Sequence, residues 1–201
     1  MRLDDVTVVI VPGLRDHVAD HWQTLLAAAL PRSVTVPPLA RDKLSRAARV
    51  DALARTLDAV QGPLLLVAHS AGVITVAHWA LVEARARATG QGRRHSIRGA
   101  LLATPADLEQ PLPAGYPTQE TLRDHGWLPI PRMPLPFPAV VAMSRNDPLG
   151  QPARVQAFAS DWQARCVDIG DAGHLNPASG HGEWPLALEL LQTLLTDPVP
   201  A

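Results

Sequence analysis

A serine does nucleophilic chemistry when the backbone forces its hydroxyl into the open, and Ala68-His69-Ser70-Ala71-Gly72 has the composition for that. An apolar run from Leu64 ends at Ala68, and a helical pattern begins directly after Ser70. Small residues two before and two after the serine let the backbones pass in a sharp strand-to-helix turn, a nucleophile elbow. Ala68 stands where such a turn usually has glycine, so one extra Cβ must fit. The turn also sets Ser70 at a helix N-terminus, where unpaired N–H groups and the macrodipole favour a developing oxyanion. Serine is equally a preferred N-cap with no chemistry attached. The choice falls to the rest of the chain.

Activating a serine takes a base and an acid to orient it, and both follow in the order this turn requires: serine, aspartate, histidine. Asp147 lies in Ser144-Arg145-Asn146-Asp147-Pro148, past an apolar run around Val141, and His174 lies in Asp171-Ala172-Gly173-His174, past the next run. Loops at the C-terminal ends of parallel strands open on one edge of a sheet, so the three side chains are expected to meet there. Asp168 and Asp171 are nearer to His174 along the chain. Asp168 belongs to a strand, however, and Asp171 shares the histidine's own loop, where aspartate commonly bonds the backbone two residues on. A helix cap for Asp147 and a solvated loop position for His174 are the competing structural roles.

The other histidines fit the chemistry less well. His69 should point away from the nucleophile, His78 reads as helix packing between Ala77 and Trp79, and His181 is the rival base. His17 and His21 have i, i+4 spacing, but no third ligand accompanies them, so no metal is expected. Val11-Pro12-Gly13-Leu14 follows the first apolar run, the place from which this architecture supplies a second oxyanion donor. With Ala71 N–H as the first donor, Leu14 N–H is the expected second and Arg15 N–H its alternative. Trp22, Trp127 and Leu149 are candidates for an apolar acyl pocket, each also readable as core.

Holding such loops together requires a sheet. Short apolar runs at Val6–Val11, Val34–Val36, Leu64–Ala68, Ala100–Ala103, Val140–Met143 and Val167–Ile169 lack alternation, as strands covered on both faces should. Between them lie helical spacings: Val18, Trp22, Leu25, Leu26 and Ala29; Val50, Leu53, Leu57 and Val60; Val155, Phe158, Ala159 and Trp162. Further helices are expected after Ser70 and from near Pro185. Alternating strands and helices with right-handed crossovers predict an α/β three-layer sandwich, a mostly parallel sheet of about six strands with helices on both faces. Residues 105–138 break the rhythm, holding nine of the twenty prolines, and are expected to roof or rim the site. The chain, 201 residues long, has the length of one domain, 1–201.

Composition excludes several function classes. Eighteen basic and nineteen acidic residues leave a net charge of −1, too little field to collect nucleic acid or an anionic membrane. No apolar run reaches the length of a membrane span. Cys166 is the single cysteine, so neither an intrachain disulfide nor a cysteine zinc site can form, which fits a reducing, cytoplasmic compartment. Neither cofactor nor metal is called for, and the oligomeric state is left open.

The chain resembles the small serine hydrolases related to retinoblastoma-binding protein 9. The likeness runs through PGLRDHVADHW, VAHSAGV, SRNDPLG and GHLNPASGHGEWP, nearly the whole length. It implies a minimal, lidless α/β-hydrolase with the triad Ser70, Asp147 and His174. Leu14-Arg15-Asp16 departs from a stretch that is often glycine-rich in those proteins. The expected reaction is cleavage of a small ester, or of an amide, through an acyl-enzyme, the partner being a small-molecule acyl substrate. Acyl transfer and a non-catalytic protein-binding module on a hydrolase scaffold are the alternatives.

Overall fold

Alternate side chains of a strand face opposite ways, so a strand apolar at every position can seed two cores, one on each side of a sheet. The computed structural model, which describes residues 1–16, 18–93 and 95–196, is built on this. Its strands are β1 (Thr7–Val11), β2 (Ser33–Thr35), β3 (Pro63–His69), β4 (Ser96–Ala103), β5 (Ala139–Met143) and β6 (Arg165–Asp168). They form one parallel sheet in the order β2-β1-β3-β4-β5-β6.

Val8, Ile10, Leu65, Val67 and Leu101 pack on one face against α1 (Trp22–Ala29) and α6 (Leu186–Thr196). Val9, Val11, Leu64, Leu66 and Leu102 pack on the other against α2 (Arg46–Ala59), α3 (Ala71–Ala88) and α5 (Pro152–Asp161). The three-layer α/β sandwich expected from the sequence is therefore what forms. From β1 the chain runs outward to β2, whereas from β3 it runs the other way to β4. That reversal opens a crevice at the C-terminal ends of β1 and β3.

The predicted strands differ from the observed ones at the margins. Val34 of β2 is 40% exposed and β6 is largely exposed, so these two edge strands are not covered on both faces, because the helical layers end there. β4 begins at Ser96 rather than Ala100, with a register shift opposite Leu64 and Leu65 that skips the polar Arg98. α1 starts at Trp22 instead of Val18, since the His21 ring accepts the Gln23 N–H at 3.2 Å and caps the helix there.

The proline-rich segment contains α4 (Gln119–Asp124), capped by the Thr118 hydroxyl. The rest is irregular but tied to α5. Arg154 reaches Asp107 at 2.6 Å and Glu109 at 2.7 Å, while Arg132 joins Glu109 at 2.6 Å to Asp161 at 2.9 Å. Partial burial opposes ionisation of Glu109, yet bonds from Arg132, the Ile130 N–H and Arg154 hold its carboxyl below the usual range.

The closest backbone approach lies at Gly72, in the first turn of α3. A Cβ there would overlap Val11 O and stand 2.7 Å from Pro12 O, both main-chain atoms. Gly72→Ala is expected to lower the unfolding free energy by about 1–3 kcal/mol, the usual range for overpacking. Denaturant melts of the variant check this, and an unchanged midpoint would contradict the crossing.

Candidate active site

Ser70 caps α3 with φ 58° and ψ −127°, a backbone conformation that residues with a Cβ seldom adopt. Its N–H donates to Ala103 O at 3.1 Å, fixing the turn to the end of β4. Ala68 causes no difficulty despite its Cβ. It lies inside β3, paired with Val11 and Leu102, and the positive φ falls two residues later. Gly13, in the loop after β1, abuts the elbow so closely that an added Cβ would lie 3.2 Å from Ser70 Cβ.

His174 Nε2 stands 2.8 Å from Ser70 Oγ, and Nδ1 is 2.9 Å from each carboxylate oxygen of Asp147. A carboxylate only accepts, so Nδ1 carries the proton and Nε2 offers its lone pair to the serine O–H. Both partners of the His174–Asp147 pair are buried. Asp147 is itself held by the Leu149 N–H, which donates to Oδ1 at 2.8 Å. The two loops are laced together as well: Asn146 Oδ1 accepts from Gly173 N–H at 2.6 Å, and Ser144 Oγ accepts from Ala172 N–H at 3.1 Å. Asp168 is occupied elsewhere, with Arg145 at 2.8 Å and the Gly170 N–H at 2.9 Å, and Asp171 is exposed.

Ala71 N–H is the first amide of α3 and has no carbonyl four residues back within the helix. Leu14 follows Gly13 in a turn closed by Asp16 N–H on Gly13 O at 3.1 Å, which does not use the Leu14 N–H. Both residues border a cleft of about 290 Å³ that also contains Ser70 and His174. Its apolar wall includes Val18, Leu108, Leu112 and Leu149, with Tyr116 at the side.

Two residues expected in an acyl pocket lie elsewhere. Trp22 is 1% exposed on the other face of the sheet, edge-on to Trp184 at 4.8 Å, and Trp127 is fully buried with its indole N–H on Leu44 O at 2.7 Å. A large ring on a short helix or in a pinned loop gains more from complete burial than from lining a cleft. Of the three candidates, Leu149 alone reaches the cleft wall. His181 is outside that wall, its N–H bonded to Asn176 O at 3.1 Å. His17 lies outside the described residues, and among those described no group of three or more His, Cys, Asp or Glu is placed to hold a metal.

A model of the serine hydrolase family matches residues 8–193. The chain belongs to the serine hydrolase family. The hydrolase is similar to a YdeN-like hydrolase from Pectobacterium atrosepticum, at 29% identity over 98% of this chain and 94% of that one, with a TM-score of 0.76. It shares its fold with the ydeN product of B. subtilis (16% identity, 96% and 100% covered, TM-score 0.68). It also shares it with the RedJ thioesterase of Streptomyces coelicolor (18% identity, 96% and 90% covered, TM-score 0.60). No curated protein matches.

Sequence reasoning missed how the hydrolase supports these residues. Gln23 is buried and donates its amide to Val11 O at 3.3 Å and Val67 O at 3.0 Å, holding the ends of β1 and β3 together. His69, expected to point away from the nucleophile, borders the cleft with Ser70, and its Nε2–H donates to His174 O at 2.8 Å. Its ring lies 4.6 Å from that of His21 and 4.9 Å from that of His174. Burial, then the neighbouring His174 and His21, pushes the His69 pKa well below the ordinary value. Burial and His174 lower that of His21 to about 4. Across the sheet, His78 donates to Trp127 O at 3.0 Å and is likewise lowered to about 4, chiefly by burial.

These three rings are neutral in the fold but take protons when unfolded, below about pH 6.5. Their contribution is therefore full above the unfolded pKa and is lost as the pH falls from about 6.5 toward 4. Tm should drop across that window. His78→Gln keeps a donor for Trp127 O and does not titrate, so its Tm–pH curve should be shallower than that of the wild type; parallel curves would exclude His78 as a contributor.

Proposed function

We propose that this serine hydrolase cleaves small esters, with amides as the second substrate class, through an acyl-enzyme on Ser70. The continuous relay carries the reading: Ser70 Oγ to His174 Nε2 at 2.8 Å and His174 Nδ1 to Asp147 at 2.9 Å, on a serine held at positive φ. His174 takes the hydroxyl proton as Oγ attacks the carbonyl carbon, and the N–H groups of Ala71 and Leu14 receive the oxyanion. Asp147 keeps the ring in the working tautomer and stabilises its charged form. Collapse breaks the bond to the leaving group, which departs with the proton from His174. Water then repeats the sequence on the acyl-enzyme, yielding the acid and free serine. His21 and His69 are neutral neighbours, so the positive charge that forms on His174 meets no fixed like charge.

The cleft volume of about 290 Å³ has room for on the order of ten water-sized groups. With its mostly aliphatic wall, it suits a short apolar acyl group. The four motifs shared with retinoblastoma-binding protein 9 relatives support placing the chain in that branch of the family. We read 1–201 as one cytoplasmic hydrolase unit in which 105–138 forms a fixed rim.

Stoichiometric labelling by a fluorophosphonate is expected, and its disappearance in folded Ser70→Ala; labelling of that variant at the wild-type level would sink the assignment. Asp147→Asn should lower kcat by roughly 10³–10⁴, the scale seen when the orienting acid of a triad is removed. Asp171→Asn, a surface change, should cost about tenfold or less. Steady-state kinetics on p-nitrophenyl acetate, with melts to verify folding, compares them, and reversed magnitudes would transfer the acid's role to Asp171.

A further inference from the structure

Arg49 is a buried cation outside the cleft, and the chemistry above does not use it. It rises from the first turn of α2, is 8% exposed, and directs both terminal nitrogens at the loop after β1 and its flank. Nη1 donates to Gly13 O at 3.2 Å, and Nη2 to Leu14 O at 3.2 Å and to Asp16 Oδ1 at 3.1 Å. Nε donates to Lys43 O at 2.9 Å, which fixes the guanidinium plane.

A trans peptide is planar, with its carbonyl and the following N–H pointing in opposite directions. Gly13 O drawn toward Arg49 therefore turns the Leu14 N–H away from it, and Leu14 O drawn the same way turns the Arg15 N–H away. Gly13, Leu14 and Arg15 border the cleft with Ser70, whereas Arg49 does not; it lines a small void behind the loop, with Pro12, Val36 and Thr75. We propose that Arg49 is a positioning residue that grips the back of this loop and thereby aims the second oxyanion donor at the substrate carbonyl. This rests on the Ser70 reading given above.

Two features of the loop support it. Asp16 is a non-glycine residue at φ 56°, a conformation that needs outside support, and its carboxylate is held by Arg49 and, at 3.8 Å, by Lys43. The start of the loop is also pressed by α3, where Gly72 meets Val11 O and Pro12 O. A charge-assisted bond to a carbonyl also polarises the peptide and strengthens its N–H as a donor. The charge thus acts through the backbone without touching the substrate.

The test compares Arg49→Met and Arg49→Lys with wild type, using p-nitrophenyl acetate turnover and inhibition by phenylboronic acid, whose tetrahedral serine adduct carries a negative charge like the oxyanion. Losing one oxyanion donor costs about 10²–10³ in kcat. Arg49→Met, which misplaces a donor without deleting it, should lose roughly 30- to 300-fold in kcat with KM within about threefold. Its phenylboronic acid affinity should weaken in parallel with kcat/KM. Arg49→Lys should be intermediate, since an ammonium lacks the planar fork. In Arg49→Ala, added guanidinium should restore part of kcat.

A folded Arg49→Met whose kcat stays within about threefold of wild type, or whose loss sits in KM alone, overturns the proposal. If that variant does not fold, Arg49→Lys decides by the same criteria, and failure of both to fold assigns Arg49 to the core and overturns it as well. Ser70→Ala in parallel separates the two readings. Activity surviving there defeats the Ser70 assignment, while silent Arg49 variants of a Ser70-dependent hydrolase defeat only the role of Arg49.

Discussion

Everything at the cleft depends on Ser70 remaining at φ 58°, a conformation its Cβ disfavours. The turn cannot relax because both its ends are fixed. β3 sits between β1 and β4 and is buried along most of its length, and α3 is pressed against the first loop through a residue with no side chain. Strain of this kind persists only where the surroundings over-determine it. Here the hydrophobic burial of the central strands does so, and the hydroxyl position is a by-product of core packing.

The same logic extends outward from the nucleophile. Ser70, Asp147 and His174 come from three different loops, and side-chain bonds tie those loops to one another: Asn146 to Gly173, Ser144 to Ala172, His69 to the His174 carbonyl. The bonds to Ala172 N–H and to His174 O satisfy buried backbone groups that would be costly to leave unpaired away from water. Satisfying the backbone and aligning the relay are thus one act. Gln23, reaching Val11 O and Val67 O, does the equivalent where β1 and β3 diverge.

Much of this is legible in the sequence, for identifiable reasons. The elbow announces itself because small residues flank the serine at fixed offsets, Asp147 follows β5, whose apolar run is unmistakable, and His174 comes after it in the required order. What escapes is whatever depends on direction in space. Arg49, in Arg46-Ala47-Ala48-Arg49, reads as one more charge on a solvated helix, and nothing local says that its side chain turns inward beneath a loop 33 to 36 residues earlier. Trp22 and Trp127 carry no mark of which side of the sheet they face. The edges of the sheet are hard for a related reason: β2 and β6 are short and partly polar, and pairing with one neighbour leaves a faint periodic signal.

The rim of the cleft is fastened by charge as well as by the burial of Leu108, Leu122, Trp127 and Ile130. Leu108, Leu112 and Tyr116 face the cleft, yet what anchors their segment to α5 is the set of pairs among Asp107, Glu109, Arg132 and Arg154. Both arginines are about one third exposed, within reach of dissolved ions. Added salt screens such contacts over a Debye length of about 10 Å at 0.1 M, leaving the aliphatic wall itself untouched. Ionic strength thereby acts on how firmly one wall of the cleft is clasped to α5, while the apolar residues that line that wall are left as they are.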